Sequence, residues 1–82
     1  MAHVHFSAGL RSGFTGGVAV LEVEATTVGG LIKALDARFP GIGEKLSSGT
    51  SVAIDGEIIP DAEFERLSAT AEVHFLETIG GG

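Results

Sequence analysis

The chain ends in Ile79-Gly80-Gly81-Gly82, and a carboxylate at the end of a run of glycines has no side chain beside it to obstruct approach. Such an end can be threaded through a narrow channel into another protein's active site, and glycine's freedom in φ lets the backbone turn there without steric cost. The same glycines also suit an ordinary frayed terminus. Telling the two apart depends on the domain that carries the tail.

The remaining residues with chemical potential are few. If the first and last strands pair, His3, His5 and His74 share an outward face, where imidazoles can bind zinc or nickel or act as a proton switch. They lack a recognised ligand spacing, so a solvated strand face accounts for them and no metal site is assigned. Cysteine is absent, which removes disulfides, thiolate metal sites and any internal persulfide. Sulfur handled by this chain would have to sit on its backbone terminus. Gly13 to Gly17 lacks the lysine and following helix of a phosphate loop. No cofactor is expected to bind.

The chain has 82 residues, 5 Lys+Arg against 11 Asp+Glu and a net charge of −6. That charge repels phosphate backbones, so no nucleic-acid partner is expected. A basic surface on a partner protein suits it better, with Glu57, Asp61, Glu63, Glu65, Glu72 and Glu77 gathered in the second half. His3 and His5 stand where a secretory signal needs a basic region and an apolar run, and no window approaches a membrane span. The expected setting is cytoplasmic, away from membranes. A hydrophobic fraction of 44% supports an ordered globule of a single domain.

The elements that must position the tail follow from periodicity. Val4, Phe6 and Ala8 alternate with His3, His5 and Ser7, and Ala19, Leu21 and Val23 alternate with Val20, Glu22 and Glu24, which predicts two strands joined by a glycine-rich loop or hairpin. Val18 and Val20 are expected on the helix-free face, as a docking patch with Leu76 or as ordinary strand formers. Thr26 or Thr27 caps a helix whose apolar stripe is Val28, Leu31, Ile32, Leu35 and Phe39, ending at Pro40-Gly41. Gly29 and Gly30 weaken its first turn and imply a close approach to the sheet.

Residues 41 to 51 read as a connection holding a short turn with Ile42 and Leu46 inward. Val52-Ala53-Ile54, Asp55-Gly56 and Glu57-Ile58-Ile59 predict a hairpin. A crossover anchored by Phe64 and Leu67 leads to a last strand at 72–76 with Val73 and Phe75 inward. The order strand, strand, helix, strand, strand, crossover, strand matches an α+β, β-grasp (ubiquitin-like) plan. It has a mixed sheet of four to five strands, one main helix on one face, and the first and last strands adjacent in the middle. Residues 1–76 form the domain and 77–82 a flexible tail.

The segments Ala8-Gly9-Leu10-Arg11, Thr27-Val28-Gly29 with Leu31 and Ile32, Phe39-Pro40-Gly41, Val52 to Glu57 and the terminal Gly81-Gly82, in this order, resemble the MoaD/ThiS family of ubiquitin-like sulfur carriers. By length the chain is most similar to the MoaD branch, the small subunit of molybdopterin synthase. It departs at Gly30, where the family usually has an acidic residue. It departs again at Glu77-Thr78-Ile79, where many members have a stiff, proline-containing stretch, and at Gly80, which replaces another small residue.

The resemblance implies that an E1-like adenylating enzyme, using ATP, activates the Gly82 carboxylate, and that a sulfur donor protein converts it to a thiocarboxylate. A sulfur-accepting enzyme, such as the large subunit of molybdopterin synthase, then takes the sulfur. Gly82 is the reacting residue, Gly81 lets the activating enzyme close on it, and Gly80 extends the thin section. The chain would be a carrier without turnover of its own. Conjugation of Gly82 to lysine, as a protein modifier, and a non-reactive β-grasp adaptor are the alternatives.

Overall fold

The computed structural model describes residues 1–48, 50–60 and 62–77. Strand β1, Ala2–Phe6, buries Ala2, Val4 and Phe6 and turns His3 and His5 outward. It stops short of Ala8, which is exposed, because Ser7 caps a helical segment: its hydroxyl accepts from the Leu10 N–H at 3.4 Å. Where the glycine spacing predicts a loop, helix α1, Ala8–Leu10, runs into a π-helical turn, Arg11–Thr15. Leu10 is fully buried there and Phe14 packs on the core edge, so apolar anchoring overrides the poor helix propensity of Gly9 and Gly13.

Strand β2, Val20–Val23, returns antiparallel along β1 with His5 opposite Val20 and His3 opposite Glu22. Ala19, expected inward, is exposed ahead of this strand. Helix α2, Val28–Arg38, is capped by Thr27, whose hydroxyl accepts from the Gly30 N–H at 3.1 Å. Its predicted stripe is the one that packs, with Val28, Leu31 and Leu35 buried and Ile32 and Phe39 against the core. Gly29 does mark a close approach, but to the crossover: a Cβ there would lie 3.0 Å from the Glu63 carbonyl oxygen.

The segment after Pro40-Gly41 is a second helix, α3, Ile42–Ser48, burying Ile42, Gly43 and Leu46. Asp36 starts it, its Oδ1 accepting from the Gly41 and Gly43 N–H groups at 3.1 and 2.9 Å. Strands β3, Thr50–Ile54, and β4, Glu57–Ile59, form the expected hairpin. Asp55 at φ 51° and Gly56 at φ 86° place both central residues in the left-handed region that a type I′ turn requires. In the crossover, the 3-10 turn Ala62–Phe64 is held by buried Ala62 and, beyond it, Leu67. Phe64, expected as an anchor, is 85% exposed.

Strand β5, Glu72–Glu77, lies at the centre of a five-stranded sheet ordered β2-β1-β5-β3-β4, parallel to β1 and antiparallel to β3. Val73 and Phe75 face the helices and are fully buried. This mixed sheet with its helices on one face is the β-grasp fold, and its first and last strands are neighbours as the element order implied. No helix among the described residues is long and apolar enough to cross a membrane.

Candidate functional site

The best-supported strand of the sheet is the one that leads to the tail. β5 is hydrogen-bonded on both sides, to β1 as far as Phe75 and to β3 as far as Glu77 opposite Thr50. It runs one residue further than its apolar pattern suggests, because the Glu77 carboxylate is itself packed. Ser7 Oγ donates to Glu77 Oε1 at 2.9 Å, and Lys45 Nζ lies 3.9 Å from Oε2. Of the tail expected over residues 77–82, Glu77 belongs to β5, and residues 78–82, with the expected reacting end Gly80, Gly81 and Gly82, lie outside the described residues.

Among the described residues no helix covers the other side of the sheet. Register places Val20, His5, His74, Ala53 and Ile58 side by side in one row across all strands, with Leu76 two residues beyond His74 on β5. Directly paired residues share a face, so this row is a continuous surface. Ala53 is buried within it, whereas Val20, Ile58 and Leu76 are exposed by 50%, 62% and 42%. Val18, expected here, instead packs against the core, its carbonyl accepting from Thr15 Oγ1 at 2.8 Å. Ile58 was missed by the reading for docking residues. The signal was present in the Ile58-Ile59 pair, of which only one can face inward on a strand.

The three histidines do gather on this face. His5 and His74 stack with ring centroids 4.1 Å apart and planes 6° from parallel. His5 Nε2 meets Glu72 Oε1 at 2.6 Å, and His3 lies between Glu72 and Glu22 at 3.2 and 3.3 Å. His3 and His5 are thus each engaged by carboxylates, and His74 contributes its ring face to the stack. Among the described residues no group of three or more His, Cys, Asp or Glu is placed to hold a metal ion.

The described acidic residues of the second half lie on different elements: Glu72 belongs to the histidine row and Glu77 to the strand end, Glu63 and Glu65 lie in the crossover, and Glu57 starts β4, while Asp61 lies outside the described residues. Gly13 to Gly17 leads into β2 rather than into a helix, which agrees with its lack of phosphate-loop character. The chemistry left to this surface is recognition: an apolar row interrupted by stacked imidazoles and bordered by carboxylates, beside the strand that carries the terminus.

The family model described as the ThiS family matches residues 4–82. No curated protein matches the chain by sequence. Among solved structures, a chain of the Amycolatopsis orientalis BexX/CysO complex superposes with a TM-score of 0.87 at 21% identity, covering 100% of both chains. CysO of Mycobacterium tuberculosis, described as an antigen, gives 0.84 at 20% identity over 96% of this chain and 100% of its own. The small archaeal modifier protein 1 of Methanosarcina acetivorans gives 0.83 at 18% identity over 99% and 95%.

Proposed function

Because the chain belongs to the ThiS family, we propose that it is a sulfur carrier whose Gly82 carboxylate is adenylated by an E1-like enzyme and converted to a thiocarboxylate. The observation that carries this reading is the seating of β5. A strand bonded on both sides ends at Glu77, and the sequence beyond it closes on three glycines. A rigid root gives the tail a defined starting point and direction. Fixing one end in this way reduces the entropy lost when the other end enters an active site.

A carboxylate is a poor electrophile, because attack adds a second negative charge and must expel oxide. Adenylation with ATP releases pyrophosphate and leaves an acyl phosphate bond with AMP as leaving group. A persulfide on a sulfur donor protein displaces AMP, so a C–S bond forms as the C–O bond to phosphate breaks. A second thiol of the donor system then attacks the S–S bond of the acyl disulfide, which leaves a terminal thiocarboxylate and the donor sulfurs oxidised to a disulfide. Its sulfur is the nucleophile for an accepting enzyme's substrate, and hydrolysis returns the carboxylate. The chain supplies no acid, base or metal ligand to these steps and has no activity alone. ATP binds the activating partner.

The activating enzyme docks on the open sheet face through Val20, Ile58 and Leu76. The receiving pathway is biosynthesis of a cofactor or metabolite in the cytoplasm, with molybdopterin synthesis, and hence a molybdopterin synthase large subunit, among the candidates. Intact-mass measurement of the protein from its native host tests the class. A species heavier by the difference between sulfur and oxygen, absent when Gly81-Gly82 is deleted, is expected; its absence under sulfur-sufficient growth overturns the reading. A bulky residue at Gly81 is expected to abolish adenylation without changing the fold.

A second reading follows from the likeness to a small archaeal modifier protein. The same activated Gly82 would acylate a lysine amine, expelling AMP and forming an isopeptide bond. Adducts on host proteins that vanish with Gly81-Gly82 support it.

A further inference from the structure

Glu77 occupies an inward position. It continues the set Val73 and Phe75 on the helix-covered side of β5, where the alternation calls for an apolar residue. The carboxylate is accommodated there by three features from two elements, α1 with its cap and α3, both far from β5 in sequence. Ser7 Oγ, which also caps α1, donates to Oε1 at 2.9 Å. Lys45 on α3 approaches Oε2 at 3.9 Å. Gly9 leaves the space the carboxylate fills: a Cβ there would overlap it, 2.6 Å from the carboxyl carbon and 2.7 Å from Oε2.

We propose that Glu77 is a positioning residue, a latch that closes the end of β5 onto α1 and α3 and so sets where the reactive tail leaves the domain. The role in presenting the tail rests on the carrier reading; the latch itself does not. β1 pairs with β5 only as far as Phe75, so on that side the last turn of backbone has no strand beside it. The Glu77 side chain takes over that support. Lys45 is half-exposed and distant, so its charge adds little. The hydroxyl contact holds the group in the space that Gly9 leaves open.

Gly9 offers a way to remove the latch without touching Glu77. Its backbone is helical and lies outside the left-handed region, so alanine is conformationally acceptable and, by propensity, favoured. Its methyl group overlaps the carboxylate's place, so the carboxylate must move away from it. Gly9→Ala and Glu77→Ala are therefore expected to speed amide hydrogen exchange at Leu76 and Glu77 by the same factor, roughly fivefold if one residue's backbone ordering is released. In the Glu77→Ala background, Gly9→Ala is expected to add nothing, since both remove one interaction. Additive effects, or no change in either single variant, overturn the latch.

With the native host's E1-like enzyme, ATP–pyrophosphate exchange by either variant is expected to show KM for the carrier raised roughly fivefold and kcat unchanged, because ordering is lost while the reacting Gly82 carboxylate is untouched. Unchanged KM with accelerated exchange overturns the positioning role. If the wild-type chain supports no ATP–pyrophosphate exchange at all, the carrier reading fails and the positioning role with it, while the amide-exchange cycle still decides the latch.

Discussion

His74 and Phe75 are neighbours on one strand with opposite duties. Phe75 is fully buried in the core with Val4, Leu31, Leu35 and Leu46. His74 lies on the open face, stacked on His5 in a row with Val20 and Ile58. The covered face holds the domain together; the open face carries apolar residues that the fold does not need. In a chain of 82 residues, where stability is a small difference between large terms, this division leaves the open face free to vary without unfolding the protein.

Substitutions on each side test the division. Phe75→Ala is expected to cost about 3–5 kcal/mol, enough to unfold a large fraction of molecules, and chemical denaturation measures it. A loss below about 1 kcal/mol would mean that the covered face is not the stabilising one. Removing the cap of the covering helix is milder. Thr27→Ala leaves the Gly30 N–H without its acceptor and is expected to lower stability by about 1 kcal/mol, with the binding of any partner to the open face unchanged.

Ile58→Thr keeps a β-branched residue on the edge strand, and its effect on stability is expected to stay within about 0.5 kcal/mol. On the docking proposal it weakens the activating partner instead, read as a raised KM in ATP–pyrophosphate exchange. An Ile58→Thr variant as unstable as Phe75→Ala would erase the contrast between the faces.

Much of this arrangement was legible beforehand. Alternation in β1 and β5 separated Val4 and Phe6, or Val73 and Phe75, from the histidines. The apolar stripe of α2, the Thr27 cap and the Asp55-Gly56 turn were readable because each depends on residues within a few positions of one another. The glycine end was readable as a motif, and it lies outside the described residues. The stretch after Ser7, expected as a loop, is helical because Leu10 finds core neighbours, and the short turn expected after Pro40 extends to a seven-residue helix on the inward Ile42 and Leu46 that its sequence did announce. No local preference of the glycines and serines in either segment announces the helix itself.

The sequence by itself determined the element order, the inward face of each main strand and helix, and the glycine terminus, since these follow from periods and turn chemistry that operate locally. Only the tertiary structure decided that His5 stacks on His74, that Ile58 joins Val20 in one row, that Phe64 stands in solvent and that Glu77 lodges against Ser7 and Gly9. Phe64 apart, which stands on the crossover, these depend on register between strands far apart in the chain. Register is set by collective packing of the buried face, and a shift of one residue would turn the strand residues among them to the other side.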